Sequence, residues 1–244
     1  MRKRLDQLLL ARGLVPSRSR ARDLILRGQV CVEGAVVTEP SALIAEEALV
    51  ALSEGSHYVS RGALKLEAGL DAFGFDAAGR VALDVGASTG GFTEVLLSRG
   101  AKKVYAVDVG HGQLHEAIKT DPRVVSLERC DARALVREQF AEPIQAIVAD
   151  VSFISLAKAL PAPLALAAPG AWLVALAKPQ FEAGREAIGK GGIVRDPIVR
   201  EAAAAQVASW IGSQAGWHVT GVLASPIEGG SGNQEYLLGA CFDG

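Results

Sequence analysis

Short apolar runs that end at a charged residue recur through the second part of the chain. Residues 81–85 are apolar apart from Asp84, residues 104–107 run into Asp108, and residues 124–127 precede Cys130 and Asp131. Residues 146–149 run into Asp150, and residues 171–177 into Lys178. Runs of this length with little alternation mark strands buried on both faces, as in a parallel sheet. A helical apolar spacing at Phe92, Val95 and Leu96 follows the first run, and a helix is predicted over 197–213. Two last runs, 217–224 and 236–242, predict a terminal antiparallel pair. The pattern is that of an α/β protein with a Rossmann-like sheet of seven strands, the last pair antiparallel. Its polar strand ends form the binding edge of an open α/β sheet.

The first part of the chain reads differently. Leu5, Leu8 and Leu9 predict a helix within 2–12, with Gly13 as its stop. Ser17 is placed to cap a second helix over 18–27, with Ala21, Leu24 and Ile25 facing inward. Residues 29–37 predict a hairpin turning at Glu33-Gly34, and 49–52 a further strand. This is a small α+β unit. After the connection 55–62, a helix is predicted over 63–73, so the expected division is 1–58 and 59–244.

Charge separates the same two parts. Residues 1–27 carry eight Lys/Arg against two Asp, a balance of +6, whereas the remainder balances at −8. Arg2, Lys3, Arg4, Arg18, Arg20 and Arg22 read as a phosphate-binding cluster, and Arg61 joins them at the connection. Few aromatic residues lie in this region, so shape and backbone contacts to folded RNA are expected rather than base stacking. The pattern L-D-x-L-L-x-x-R-G-L-x-x-S-R-x-x-A-x-x-L-I-x-x-G-x-V-x-V-x-G, from Leu5 to Gly34, resembles the RNA-binding domain named after ribosomal small-subunit protein four.

The stretch 83–97, L-D-V-G-A-S-T-G-G-F-T-E-V-L-L, is a strand, a glycine-rich turn and a helix start, the first half of a nucleotide-binding βαβ unit. Its G-x-x-x-G-G spacing is not the dinucleotide fingerprint, and the phosphate-loop Lys-Ser/Thr pair is absent. An acidic residue before the turn without a phosphate-gripping lysine suits S-adenosylmethionine, which carries a ribose and an amino acid but no phosphate. A tight βα turn in another doubly wound protein is the alternative. Asp108 ends the second strand, where ribose hydroxyls are usually gripped, and Asp131 is in place to accept from an adenine amino group.

The three cysteines are far apart and lack metal spacing, and they read as small buried hydrophobes in a reducing cytoplasm. No apolar segment follows the basic start as in a signal peptide. The most membrane-like stretch, 156–177, is broken by Pro161, Pro163, Pro169 and Gly170, and reads as a helix end, a turn and a buried strand. His111 and His115 are too few and poorly spaced for a metal site. Residues 184–196, G-R-E-A-I-G-K-G-G-I-V-R-D, read as a mobile substrate loop, and 226–233 as a second loop before Glu235.

D-V-G-A-S-T-G-G-F-T-E, D-V-G-H-G-Q-L, D-V-S-F-I-S-L, K-P-Q-F-E, S-G-N-Q-E-Y and S-R-G-A-L-K-L, in order over essentially the whole chain, resemble the haemolysin-A-like (TlyA) RNA methyltransferases. The catalytic part is also similar to the wider FtsJ/RrmJ group of 2′-O-methyltransferases. The resemblance implies a class I methyltransferase fold and transfer of a methyl group from S-adenosylmethionine to ribose 2′-hydroxyls of cytidines in ribosomal RNA, releasing S-adenosylhomocysteine. It implies a catalytic tetrad of Lys65, Asp150, Lys178 and Glu235. It also implies donor binding at Gly86, Ser88, Gly90, Gly91, Phe92, Asp108 and Asp131.

The expected reaction is in-line attack of the ribose oxygen on the sulfonium methyl. The electrophile is already activated, so no metal is required, and the chain must align and deprotonate a weakly acidic hydroxyl. Lys178 is the candidate for that role, as base or as positioner. Burial and Lys65 favour its neutral form, and Asp150 and Glu235 oppose it while fixing its direction. The partner is ribosomal RNA or an assembled subunit, and the location cytoplasmic. A monomer suffices, given an RNA-binding head. Three other readings are a non-catalytic RNA-binding assembly factor, a membrane-active haemolysin without the segments such a protein needs, and a nicotinamide oxidoreductase with the wrong glycine spacing.

Overall fold

The computed structural model describes residues 2–15, 17–26, 28–52, 58–189, 191–229 and 232–244, without the side chains of Asp23 and Arg185. The expected helix end at Arg27, most of the connection after residue 52, and Lys190, Gly230 and Ser231 of the two expected loops lie outside the described residues. The chain divides into two compact units, Met1–Arg61 and Gly62–Gly244.

In the first unit, β1 (Arg2–Arg4) leads into α1 (Leu5–Ala11) and α2 (Arg18–Leu26). β2 (Val30–Val32), β3 (Ala35–Val36), β4 (Leu43–Ala45) and β5 (Val50–Leu52) follow. The helix expected from residue 2 starts only at Leu5. Residues 2–4 instead pair antiparallel with β4, Arg2 opposite Ala45. That partner lies some forty residues on and has no local signal, and the helical apolar spacing itself begins at Leu5. Ser17 does cap α2, its Oγ accepting from Arg20 N at 3.2 Å. The Glu33-Gly34 turn, with φ of +51° and +81°, is of the hairpin kind that joins β2 and β3. Leu5, Leu8, Leu9, Ala21, Leu24, Ile25, Val30, Val32 and Val50 form the core.

The second unit opens with α3 (Gly62–Phe73), β6 (Val81–Val85), α4 (Gly91–Ser98), β7 (Lys103–Asp108), α5 (Glu116–Lys119) and β8 (Val124–Glu128). It continues through β9 (Ile144–Ala149), α6 (Leu156–Ala159), α7 (Pro161–Ala165), β10 (Ala167–Ala177) and α8 (Pro179–Glu182). It ends with α9 (Pro197–Gly212), β11 (Trp217–Ala224) and β12 (Tyr236–Phe242). The seven strands lie in the order β11-β12-β10-β9-β6-β7-β8, and β12 runs antiparallel to both of its neighbours. The membrane-like stretch is two short helices and a strand, with a register shift between Ala167 and Trp172 where Pro169 and Gly170 fall. The cysteines, expected to be buried, are free and half-buried.

Leu83 and Val85 pack on one face of the sheet with Ile147, Leu173, Leu156, Leu164, Val207 and Ile211, which come from β9, β10, α6, α7 and α9. α3 and α4 pack on the other. Asp84 lies between Leu83 and Val85, so strand alternation turns it toward α4. Truncating a wholly buried side chain such as Ile147 or Leu173 to Ala costs about 2–5 kcal/mol. The chain passes from β6 outward to β7 and β8, then crosses to β9 on the other side of β6. The carboxyl ends of β6 and β9 therefore flank the topological switch point, where open α/β sheets bind ligands.

Candidate donor pocket and catalytic residues

The ends of β6, β7, β8 and β9 build the pocket. At β6 the chain turns through Gly86 with φ of +87°, and a Cβ there would stand 2.6 Å from the Asp150 carbonyl oxygen. Only glycine lets the two backbones pass this closely. Gly86 N and Ala87 N both donate to Val107 O, at 2.9 and 3.1 Å, tying the turn to β7. Asp108 then holds the turn from its side chain: Oδ2 accepts from Ser88 N at 2.8 Å and Oδ1 from Gly110 N at 2.7 Å. The carboxylate thus organises both loops around the cavity.

The cavity has a volume of about 560 Å³. Its walls include Gly86, Ser88, Asp108, Asp131 and Asp150, together with Gly110, Gln113, Arg133, Ser152 and Phe153. Strand-end position pointed to Asp108, Asp131 and Asp150, and the glycine-rich turn with its family resemblance to Gly86 and Ser88. The others sit on loops whose course into the pocket has no periodic signal, although D-V-G-H-G-Q-L and D-V-S-F-I-S-L contain four of them.

Gly90, Gly91 and Phe92 are not among the lining residues. Gly90 is the left-handed residue before α4, and a Cβ on it would meet Leu114 and Ile118. Gly91 and Phe92 are buried in the first turn of α4. All three shape the turn from beneath. Asp131 lines the pocket with its carboxylate engaged: Arg133 binds both oxygens, with Nη2 to Oδ2 at 2.6 Å, and Arg133 N donates to Oδ1 at 3.0 Å. Those bonds hold its pKa down at about 2. The Asp131–Arg133 pair, rather than Asp131 alone, is what the pocket presents.

Behind the turn, Asp84 is completely buried and accepts from the Thr93 hydroxyl at 2.6 Å, while Oδ1 has no hydrogen-bond partner. Burial pushes its pKa up to about 7; the Thr93 bonds oppose the shift, and the charges of Asp150 and Asp108 add to it.

The four expected catalytic residues form two ion pairs. Lys178, at the end of β10, lies 2.6 Å from Asp150 at the end of the neighbouring β9, and its Nζ donates to Ser152 Oγ at 2.9 Å. Lys65, on α3, meets Glu235, just before β12, at 2.5 Å. Lys65, Lys178 and Glu235 are all buried. Asp150 and Ser152 line the cavity and Lys178 contacts both, but Lys178, Lys65 and Glu235 are not themselves among the lining residues. Phe153, almost fully exposed, has a left-handed φ of +66° and lies with its ring 5.3 Å from that of Phe181. A bulky residue in that conformation is strained, and such strain gathers at functional sites.

Among the expected RNA-binding residues, Arg2, Arg18, Arg20 and Arg22 are exposed, and Lys3, Arg4 and Arg61 half-buried. Arg4 and Arg18 share the buried Asp6, at 3.1 and 2.9 Å, while their own side chains keep 39% and 49% of their exposure. Burial raises the Asp6 pKa, and the two guanidiniums outweigh it, so the net shift is downward. His111 contacts Glu128 at 3.0 Å, and His115 caps α5. Neither belongs to a metal-binding cluster among the described residues.

The sequence pattern of the FtsJ-like methyltransferase family matches residues 58–242, and that of the S4 domain residues 3–50. The chain is 48% identical to 16S/23S rRNA (cytidine-2′-O)-methyltransferase TlyA of Mycobacterium tuberculosis, over 97% of this chain and 89% of the relative. A solved structure from Streptococcus thermophilus that carries the hemolysin name is 40% identical, with a TM-score of 0.75, over 99% of this chain and 88% of that one. An O-methyltransferase from Bacillus cereus, solved in complex with SAH, is 18% identical with a TM-score of 0.51, over 77% of this chain and 83% of that one, and shares the fold. The chain belongs to the TlyA family of FtsJ-like methyltransferases with an S4 domain.

Proposed function

We propose that this chain transfers a methyl group from S-adenosylmethionine to the ribose 2′-hydroxyl of a cytidine in ribosomal RNA. The observation that carries the reading is Lys178 Nζ, held by Asp150 and Ser152, two residues that line a strand-end cavity. The donor, when bound, brings a methyl group already activated by its sulfonium. What the chain adds is therefore alignment and proton handling at the acceptor oxygen.

The pocket fits such a donor. Asp108 offers its carboxylate at the end of β7, where ribose hydroxyls are bound in this class of sheet. The glycine turn brings backbone close to the ligand, and the Asp131–Arg133 pair supplies a polar edge. Lys178 acts either as positioner, orienting the ribose hydroxyl toward the methyl carbon, or as base in its neutral form, taking the hydroxyl proton as the oxygen–methyl bond forms and the methyl–sulfur bond breaks. Asp150 and Ser152 fix the direction of Nζ. Lys65 and Glu235 hold each other as a second buried pair. The exposed Arg20 and Arg22, with Arg2 and the partly paired Arg4 and Arg18, hold phosphates of folded RNA. We read the protein as a cytoplasmic monomer, and among the described residues no helix is long and apolar enough to cross a membrane.

The test is methyl transfer from labelled S-adenosylmethionine to unmodified small and large ribosomal subunits and to their free RNAs. Label in RNA supports the reading and identifies the subunit. Donor binding without transfer to any of them favours a non-catalytic assembly factor.

A further inference from the structure

Asp108 and Glu128 end the neighbouring strands β7 and β8 and stand opposite each other in the register of that parallel pair. Asp108 lines the donor cavity, and Glu128 is not among its lining residues. Both carboxylates nevertheless grip the same stretch of chain, residues 109–113, which carries Val109, Gly110 and Gln113 of the cavity wall. Asp108 holds Gly110 N, as described above. Glu128 holds the residues that follow: Oε1 accepts from Gly112 N at 2.8 Å, and Oε2 lies 3.0 Å from His111 Nδ1. Burial pushes the Glu128 pKa up, and the Gly112 and His111 bonds with the charge of Lys119 outweigh it, so the net shift is downward. The carboxylate is therefore charged and committed to the segment.

The residues after Glu128 reinforce the grip. Arg129 has a left-handed φ of +54°, a conformation that few residues other than glycine adopt. It brings Arg129 N onto Gly110 O at 2.9 Å and Cys130 N onto Asp108 O at 3.0 Å. Backbone strain of this kind persists where the surrounding contacts over-determine it. The far end of the segment is tied to the glycine turn. Ser88 Oγ donates to Gln113 Oε1 at 3.3 Å, and His115 N to Thr89 O at 3.1 Å. Ser88, Asp108, Gly110, Gln113 and Glu128 also border a second, water-sized cavity of about 10 Å³. Glu128 thus stands one layer behind the donor cavity and holds one of its walls.

We propose that Glu128 is a positioning residue of the donor site, which keeps the segment 109–113 in the shape that presents Asp108, Gly110 and Gln113 to the ligand. Without its carboxylate, Gly112 N and His111 lose their anchor and the segment exchanges between conformers. The Gly110 N bond that orients Asp108 and the Gln113 contact with Ser88 loosen with it. Donor affinity then falls by the fraction of time the wall is out of place. The inference rests on the reading of the cavity as the S-adenosylmethionine site.

The experiment compares the full-length chain with Glu128→Ala and Glu128→Gln. The second variant keeps an oxygen for Gly112 N and offers an N–H to the imidazole, so it preserves both bonds without the charge. Calorimetry gives the affinity for S-adenosylmethionine, and turnover against ribosomal RNA gives the donor KM and kcat. Amide exchange followed by mass reports the order of residues 109–113. Glu128→Ala is expected to bind the donor about tenfold more weakly, to raise the donor KM by the same factor, and to keep kcat at saturating donor within about twofold. Exchange in the segment is expected to accelerate about tenfold. Glu128→Gln is expected to stay within about threefold of wild type in each. Unchanged affinity in Glu128→Ala overturns the proposal, and so does a fall in kcat at an unchanged donor KM. Equal losses in both variants overturn it too, because Glu128 would then act through its charge and not by holding the segment. Should Glu128→Ala fail to fold, His111→Ala removes one of the two bonds and is expected to weaken the donor about threefold, with faster exchange; no change in either overturns the proposal. If the wild-type chain binds no S-adenosylmethionine, it is the proposed function that fails, and the exchange rates still decide whether Glu128 holds the segment.

Discussion

Lys65 and Glu235 stand 170 residues apart in the chain and 2.5 Å apart in the fold, as a buried ion pair joining α3 to the approach of β12. A buried pair of this kind offsets two desolvation costs only while both partners remain. Lys65→Met strands the Glu235 carboxylate and is expected to cost about 3–5 kcal/mol. The double variant Lys65→Met/Glu235→Leu is expected to recover most of that stability and none of the activity. Urea unfolding of the three proteins checks this. Equal destabilisation in the single and double variants would show that Glu235 is not stranded.

Asp108 carries a prediction about the donor alone. Its carboxylate holds Ser88 N and Gly110 N, so its loss loosens two walls of the cavity besides removing a ligand contact. Asp108→Ala is expected to weaken S-adenosylmethionine binding about tenfold or more by calorimetry. Unchanged affinity would place the donor elsewhere.

Asp84 makes stability depend on pH. With a folded pKa of about 7, well above that of a free Asp, the folded chain keeps a proton that the unfolded chain releases. The stability it contributes is complete below about pH 4 and is lost as pH rises through 7, with a slope of up to about 1.4 kcal/mol per pH unit. Asp84→Asn is expected to lack that slope, and urea titrations from pH 4 to 8 measure it. An identical slope in the variant would assign it to another group.

Asp6 sets a limit on what its two arginines contribute. Because Arg4 and Arg18 stay well exposed, Asp6→Ala leaves solvated cations rather than buried ones. The expected loss is about 1–2 kcal/mol rather than the larger cost of a stranded charge. The same change leaves both guanidiniums available to phosphate, so RNA affinity is expected to hold or rise. Filter binding at two salt concentrations reads this, and a clear fall in affinity would mean that Asp6 instead orients the arginines for RNA.

The parallel strands were legible because each is an apolar run buried on both sides and ended by a polar residue at the binding edge. That signal found Asp108, Asp150 and Lys178 without any view of the fold. Two kinds of feature escaped it. Residues 2–4 read as helix because their partner strand, Leu43–Ala45, is a non-local match with no periodicity of its own. Gly90, Gly91 and Phe92 carry the same motif as Gly86 and Ser88, yet the turn directs only the latter two into the cavity. Arg133 takes both oxygens of Asp131, a contact that the spacing D-A-R permits and does not require. Asn233 shows the limit most plainly, since its amide bonds to Val194 N and Gly192 O, 39 and 41 positions earlier in the chain.

The most direct measurement is nucleoside analysis of ribosomal RNA after incubation with the purified chain and methyl-labelled S-adenosylmethionine. The account predicts label in 2′-O-methylcytidine, recovered from an alkali-resistant dinucleotide, and none with Lys178→Ala although that variant still binds the donor. Label on a base, or equal label with Lys178→Ala, would contradict it.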